Sequence, residues 1–348
     1  MSTTNTNTTA EEDPKPNTTT QPTHRATIGP PSSNTFWLYT HNHGFDLTHP
    51  FSPSSPPLHP RLTLPTLTKP ITLHPPKTAL VIIDMQNFFL SPAFGRDTSG
   101  AGHAALERLR GTAIPAARKA GVQVVWVNWG LDEKELKEMP AGVRRVLGFE
   151  ASVFPGEGQG EGVIPGGGGE GRDAVFGEGG GRVVVADGKD PKVYRGMGSE
   201  CGILDDPVSG SKVDAGRLLM RGSWNTGLYG PLNEMYEEGK RLLDKPDVWI
   251  HKNRMSALWG GRTALDEFLE RERIRSLLFT GVNTDQCVGG TMQDAFSKGY
   301  DCVLLGDGAG TSSPDFAQKC IEYNVSKSWG FVSTCGEFEE AVERMERS

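Results

Sequence analysis

The sequence predicts a three-layer α/β/α domain in which helices cover both faces of a mainly parallel sheet. Two observations carry this expectation. Short, unbroken apolar runs recur along the chain, and longer mixed stretches of helical character separate them. A strand buried on both faces reads as a continuous apolar run, because both rows of its side chains leave water. Strand, helix, strand repetition then closes as a parallel sheet wrapped by helices.

The apolar runs are Leu80–Ile83, Val122–Val127, Val183–Ala186, Val248–Ile250, Leu277–Thr280 and Val303–Leu305. Helices are expected at about 101–119, 231–243, 262–273 and 288–299. One region breaks the rhythm. Residues 155–181 carry glycine clusters, including Gly166–Gly169 and Gly179–Gly181. No apolar strand leads into them and no Gly-Lys-Ser/Thr follows, so they read as a surface insertion rather than a phosphate loop. The principal domain is drawn at 77–345, with this glycine-rich insertion inside it.

Residues 1–76 are expected to be a disordered or loosely docked N-terminal extension. Residues 1–34 are dominated by Thr, Asn, Pro and Ser and carry too few apolar groups to offset the entropy of ordering. A short aromatic segment, Thr35–His41, precedes a second Pro/Ser-rich run that ends at Pro76. Trp37 and Tyr39 are expected to dock on the domain surface rather than to form a separate unit.

Bulk chemistry narrows the function. The 348 residues include 43 acidic and 36 basic side chains, a formal charge of -7. That balance is wrong for a binder of nucleic acid or of an anionic membrane. No stretch approaches the roughly 20 apolar residues of a membrane span, and the N-terminus has no leader pattern, so a cytoplasmic protein is expected. Five widely spaced cysteines, Cys201, Cys287, Cys302, Cys320 and Cys335, form no CxxC pair and suggest reduced thiols.

In parallel sheets, ligands bind outside the carboxyl ends of the strands, and three of these ends carry reactive groups. Asp84 follows Leu80–Ile83; it either caps a turn or is a partly desolvated carboxylate with a raised pKa suited to proton transfer. Lys252 follows Val248–Ile250; it is either a solvated surface group or an inward charge that holds Asp84 ionised and lowers a nearby thiol's pKa. Cys287 follows Leu277–Thr280 after a break at Gly281 and opens a helix running to about Lys298. The helix dipole there favours thiolate, and free backbone N–H groups can bind an oxyanion. Cys302, inside its strand, fits the ordinary buried cysteine.

These residues resemble the isochorismatase-like cysteine hydrolases, which include isochorismatases, nicotinamidases, N-carbamoylsarcosine amidohydrolases and ureidoacrylate amidohydrolases. The shared pattern is an aliphatic strand ending in Asp84, Gln86 and Phe89; then Lys252 before Ser256 and Ala257; then Gly281, Val282, Thr284, Cys287 and Val288. The resemblance covers about 77–340 and implies a Rossmann-like, isochorismatase-type hydrolase fold. It also implies that Asp84, Lys252 and Cys287 are catalytic. Backbone N–H groups of Asn283 and Cys287 would form the oxyanion hole, the former exposed by a cis peptide after Val282. Gln86, Phe89, Trp224 and Asn225 are the candidate substrate-binding residues, with packing an equal reading for Trp224.

The departures from the pattern are informative. Phe88 stands where many relatives have Asp, and Leu258-Trp259 replaces the usual Phe after Ser-Ala. Nicotinamidases carry an Asp-x-His metal site after the second strand, whereas this chain reads Trp126-Val-Asn128-Trp129. No metal and no cofactor are therefore expected. The reading is a cysteine-dependent hydrolase that cleaves a C–N bond of a small amide, ureido or carbamoyl compound through a thioester. Its alternatives are vinyl-ether hydrolysis of the isochorismatase type and a non-catalytic binding protein of the same fold. The expected partner is a small-molecule substrate, not nucleic acid or membrane. Homo-oligomerisation is left open, because a neighbouring subunit can supply pocket walls.

Overall fold

The computed structural model describes residues 25–33, 35–148 and 195–345, together with the strands Glu150–Val153, Val175–Phe176 and Arg182–Val185. The chain opens with β1 (Ala26–Ile28), β2 (Trp37–Thr40), β3 (Gly44–Asp46), β4 (Leu62–Leu64) and β5 (Ile71–Leu73). These form a five-stranded sheet in the order β1-β2-β3-β5-β4, antiparallel except for the β3–β5 pair. Leu47, Leu62, Leu64, Ile71 and Leu73 are buried in the same core as Leu80, Leu109 and Phe338 of the principal domain. Residues 35–76 are thus an integral layer, in contrast to the disordered or loosely docked extension expected from composition. Pro, Ser and Thr dominate this segment, yet five of its aliphatic residues, Leu47, Leu62, Leu64, Ile71 and Leu73, face one core. Residues 1–24 and 34 lie outside the described residues.

Asp301 ties this layer to the rest of the chain. Trp37 Nε1 donates to its Oδ1 at 2.7 Å, Ser276 Oγ donates to its Oδ2 at 2.9 Å, and His49 Nε2 lies 2.6 Å from the same oxygen. Trp37 also packs on Phe45 and Phe331. It docks on the principal domain as expected, but as part of a sheet.

Next come β6 (Thr78–Ile83), β7 (Gln123–Trp129), β8 (Glu150–Val153), β9 (Val175–Phe176), β10 (Arg182–Val185), β11 (Ile203–Asp205) and β12 (Lys212–Asp214). They are followed by β13 (Val248–Lys252), β14 (Ser276–Val282), β15 (Asp301–Gly310) and β16 (Phe331–Ser333). Six of them build one sheet in the order β13-β7-β6-β14-β15-β16, and every pairing in it is parallel. Every residue of β6, β7 and β14 is buried, as the unbroken apolar runs require.

One expected member is absent from this sheet. The run at 183–186 falls in β10, which pairs antiparallel with β8 and β9 in a small separate sheet. Its place as sixth strand is taken by β16, a three-residue segment too short to stand out as an apolar run. Most of the glycine-rich insertion at 155–181 lies outside the described residues.

The helices are α1 (Asn87–Leu90), α2 (Ala101–Arg108), α3 (Ile114–Ala120), α4 (Glu133–Lys137), α5 (Ala141–Val146) and α6 (Pro231–Gly239). After these come α7 (Ala264–Arg271), α8 (Gly289–Ser297), α9 (Asp315–Asn324) and α10 (Cys335–Glu343). A π-helical stretch, Leu109–Ala113, joins α2 to α3 just before Pro115, whose missing N–H and bulky ring disfavour an ordinary helical turn there. Capping boxes open α4 (Asp132 with Glu135), α7 (Thr263 with Asp266) and α10 (Thr334 with Glu337), each satisfying end groups that the helix leaves unpaired.

The two faces of the sheet have separate cores. Leu80, Ile82, Val124 and Trp126 pack with α2, α3 and α10 on one side; Val81, Ile83, Val125 and Phe279 pack with α7 and α8 on the other. A third cluster, including Phe88, Trp129, Leu131, Met139, Leu147 and Leu219, gathers the segments that follow β6 and β7 with the loop after β12. It forms a cap beyond the strand ends.

The strand order places the functional crevice. From β6 the chain adds β7 and β13 outward on one side; β14, β15 and β16 extend the sheet on the other. The reversal falls between β6 and β14, and an open parallel sheet binds ligands at such a switch point. Gly281 makes the close approach there: with φ at 107°, a Cβ would sit 2.1 Å from the Ile83 carbonyl oxygen.

Candidate active site

Asp84 leaves β6 with φ at 53°, a left-handed conformation that aspartate tolerates better than most residues. Its N–H still bonds the Val127 carbonyl at 2.9 Å, so the chain turns at the strand edge without losing its pairing to β7. Side-chain Oδ1 accepts the Trp129 N–H at 3.1 Å. Lys252 ends β13, two strands away, and reaches across the Trp129 indole with Nζ 4.1 Å from the ring centre. Nζ then lies 2.9 Å from Asp84 Oδ2 and 3.3 Å from Cys287 Sγ. It also donates to the carbonyls of Arg254 at 3.0 Å and Met255 at 3.2 Å.

Cys287 sits in a π-helical turn, Thr284–Val288, that leads into α8 and follows the cis Val282–Asn283 peptide. Two braces hold this turn. Asp285 accepts Thr311 Oγ1 at 2.6 Å and Ser313 Oγ at 2.8 Å. Thr291 Oγ1 donates to the Cys287 carbonyl at 2.7 Å and accepts the Ala257 N–H at 3.1 Å, linking the nucleophile turn to the segment after Lys252.

Asp84, Lys252 and Cys287 therefore converge at the switch point, and all three are buried. Burial pushes the Asp84 carboxyl above the usual carboxylate range, opposed chiefly by the Lys252 charge and then by the Cys287 thiol. Lys252 Nζ, 2.9 Å from Oδ2, is the ionic partner of this carboxylate. Burial also pushes the Cys287 thiol up to about 12; Lys252 works against the shift and the Asp84 charge adds to it. Lys252 favours thiolate as expected, but its effect is the smaller one. Loss of solvation outweighs the Lys252 charge, so the resting group is a thiol beside a base.

A cavity of about 350 Å³ opens above Cys287, walled mainly by Phe89, Trp129, Val143, Leu147, Met197 and Met255. Larger hollows exist elsewhere, but this is the one that Cys287 lines. Of the candidate substrate-binding residues, the structure brings Phe89 to this cavity. Gln86 is fully buried: its Oε1 accepts the Trp129 N–H at 3.0 Å, and its Nε2 donates to the carbonyls of Trp129 and Thr226, both at 2.8 Å. Asn225 is likewise committed to backbone, donating to Ala215 and Arg217 and accepting from Leu219. Trp224 stacks near Phe94 and lines a different hollow. Gln86 and Asn225 thus brace backbone, and Trp224 packs at Phe94, one of its two expected readings.

Two residues beside the site escaped the sequence reading. Trp129 supplies both the N–H that holds Asp84 and the ring beneath Lys252. Arg254 is the sole charged residue in the cavity's lining among the described residues. Its sequence signal is an arginine two positions after Lys252, at a strand end already singled out. Among the described residues, no group of three or more His, Cys, Asp and Glu side chains is placed to hold a metal ion. Asn128, where the nicotinamidase pattern has a ligand, is a fully buried amide.

An α/β fold with Asp84, Lys252 and Cys287 gathered at the switch point of its parallel sheet is what the comparisons with known hydrolases address. The isochorismatase domain profile matches residues 222–334, which include Lys252 and Cys287. A ureidoacrylate amidohydrolase, RutB, of Caulobacter vibrioides is 27% identical over 298 residues, covering 84% of this chain and 96% of the relative. The protein of the same name from an Enterobacter species is 27% identical over 284 residues, 80% of this chain and 95% of the relative. A cysteine hydrolase crystal structure from Pseudomonas syringae shares the fold at 16% identity and a TM-score of 0.50, covering 84% of this chain and 99% of that one. The chain is thus similar to isochorismatase-like hydrolases in sequence and in fold.

Proposed function

We propose that this chain is a cysteine-dependent amidohydrolase that cleaves a C–N bond of a small amide, ureido or carbamoyl compound through a covalent thioester. The observation that carries the reading is the position of Lys252 Nζ, 2.9 Å from Asp84 Oδ2 and 3.3 Å from Cys287 Sγ beneath an apolar cavity. Amidohydrolases among the curated relatives support the bond class.

The thiol's high pKa makes a preformed thiolate scarce, so its proton passes to Asp84 as sulfur attacks the substrate carbonyl. The raised pKa of Asp84 suits it to hold that proton and then release it. Lys252 lies between the two groups and offsets negative charge on either. Backbone N–H groups of Asn283 and Cys287 receive the tetrahedral oxyanion. Collapse breaks the C–N bond, and Asp84 returns the proton to the departing nitrogen. Water, deprotonated by the same carboxylate, then attacks the thioester and releases the acid and the Cys287 thiol.

Acid quenching during turnover of a panel of amides and ureido acids, followed by peptide mass mapping, tests the proposal. An acyl adduct is expected on the Cys287 peptide, suppressed by Asp84→Asn. Rapid hydrolysis of isochorismate that survives Cys287→Ala without an adduct would establish the vinyl-ether chemistry instead.

A further inference from the structure

A second cavity, of about 600 Å³, lies where the N-terminal layer meets the principal domain. Asp301 and Phe331 line it, and these residues open β15 and β16. It therefore sits beyond the amino ends of the parallel strands, whereas Cys287 follows the carboxyl end of β14. The chemistry at Cys287 makes no use of it.

Six aromatic rings enter its lining. Those of Trp37, Phe45 and Phe331 pack against one another with centres 5.6, 5.7 and 5.9 Å apart, and Phe296, Tyr300 and Trp329 complete the set. Phe296, in the last turn of α8, keeps 44% of its surface in water. Faces and edges of this kind hold a flat ring by stacking while both shed water.

The charged residues of the lining are Lys69, Lys327 and Asp301. Asp301 is buried and already engaged by Trp37, His49 and Ser276. Lys69 and Lys327 have no ion-pair partner among the described residues, so two ammonium groups border the cavity without a carboxylate of their own. The backbone beneath both is fixed. Thr66 Oγ1 donates to the Lys69 carbonyl at 2.7 Å, and the Leu67 N–H donates to the Val332 carbonyl at 2.9 Å. On the other segment, Ser326 Oγ donates to the Tyr323 carbonyl at 2.9 Å and the Gly330 N–H to that of Val325 at 3.0 Å. A side chain at Gly330 would strike the Cys302 carbonyl, so this turn lies directly on β15. Walls set by such contacts stand before a ligand arrives, as in most small-molecule sites.

We propose that this cavity is a second ligand site, separate from the hydrolytic one, for a small planar aromatic anion. The rings take the flat body, and Lys69 and Lys327 take the charge. A cation meets two like charges there, and a neutral ring forgoes their attraction. Because both lysines reach into water, their pull is screened and gives a charge preference of several-fold rather than tight binding. Asp84, Lys252 and Cys287 are at the other end of the sheet, so the ligand is bound at this site and not hydrolysed. It nevertheless touches the helix that follows the nucleophile turn, since α8 runs from Gly289 to the cavity at Phe296, roughly 10 Å along its axis.

Titration calorimetry with 2-naphthoate and 2-naphthalenemethanol tests the site, because the two probes share a planar body, differ in charge and have no C–N bond to cleave. The wild-type protein is expected to bind the acid about fivefold or more tightly than the alcohol. The double variant, Lys69→Gln with Lys327→Gln, is expected to bring the two affinities within about twofold of each other, and Phe296→Ala to weaken both probes about threefold or more. All three side chains are exposed, so the melting temperatures of these variants should stay near that of the parent. Phe89→Ala, in the hydrolytic cavity, controls for location and is expected to leave both affinities within about twofold of the parent's. The assignment is overturned by no binding of either probe, by equal affinities in the wild type, or by a charge preference that survives the double lysine variant. Affinities that respond to Phe89→Ala and not to Phe296→Ala overturn it as well, since the probes would then occupy the cavity above Cys287.

Discussion

Gln86 holds Trp129 from both sides of the peptide, accepting its N–H at 3.0 Å and donating to its carbonyl at 2.8 Å. The same Trp129 N–H bonds Asp84, and the same residue's ring lies beneath Lys252. Gln86 is thus a brace for the acid–base pair, one step removed from the substrate. Gln86→Ala strands two buried carbonyls and leaves the Trp129 N–H to Asp84 alone, a loss on the order of 3 kcal/mol. Because the brace orients reacting groups, kcat is expected to fall at least tenfold while KM changes little. Steady-state kinetics with a melting curve checks this; a KM effect alone would return Gln86 to the binding surface.

The sequence made part of this arrangement legible and left the rest out of reach for physical reasons. Asp84, Lys252 and Cys287 could be picked out because each follows an apolar run, and the ends of parallel strands are where ligands bind. Gln86 and Asn225 were open to misreading, since a primary amide meets a ligand and a peptide group with the same atoms. The run at 183–186 looks like a central strand because apolarity reports burial, whereas pairing depends on distant partners. The N-terminal sheet was hidden by its Pro, Ser and Thr content, although Leu62, Leu64, Ile71 and Leu73 are wholly buried.

Cys287 should behave as a buried thiol at rest. With its pKa pushed up to about 12, the thiolate fraction is small at neutral pH and grows with each step upward. Alkylation of Cys287 by iodoacetamide is therefore expected to accelerate about tenfold per pH unit between about pH 7 and pH 10, without a plateau. Lys252→Met should slow it at every pH, since Lys252 is the charge that opposes the shift. Peptide-resolved mass spectrometry gives the rate, with exposed Cys320 as the reference in each digest. A plateau below about pH 8 would show a preformed thiolate.

Asp301 should be more important to stability than a carboxylate remote from the site ordinarily is. It receives Trp37 and His49 from the N-terminal layer and Ser276 from β14. Asp301→Ala strands these partners in a buried setting and is expected to cost on the order of 3 kcal/mol. Removal of residues 1–24 is expected to shift the melting temperature little, whereas removal of 1–76 uncovers Leu80 and Phe338 and should cause aggregation or unfolding. Thermal melts of the variant and both truncations decide the point.

Asp84 and Lys252 form a buried ion pair, and its energetics differ from its catalytic value. The folded-state pKa of Asp84 is raised, so the folded chain holds that proton more tightly than the unfolded chain does. Its contribution is therefore most favourable below the unfolded carboxylate pKa and declines as pH rises through the folded value. At neutral pH the ionised carboxylate is a cost that Lys252 offsets. Lys252→Met removes the offset and is expected to destabilise by about 3–5 kcal/mol at pH 8, less at pH 5, where Asp84 can take up a proton. Asp84→Asn instead leaves a buried ammonium without its counter-charge, and its cost should vary little over that range. The double variant, Asp84→Asn with Lys252→Met, removes both charges and is expected to be at least as stable as the parent while retaining no turnover. Urea unfolding of the four proteins at both pH values closes the cycle. If the two single losses simply add in the double variant, Asp84 and Lys252 are not energetically coupled and the ion pair does not organise this site.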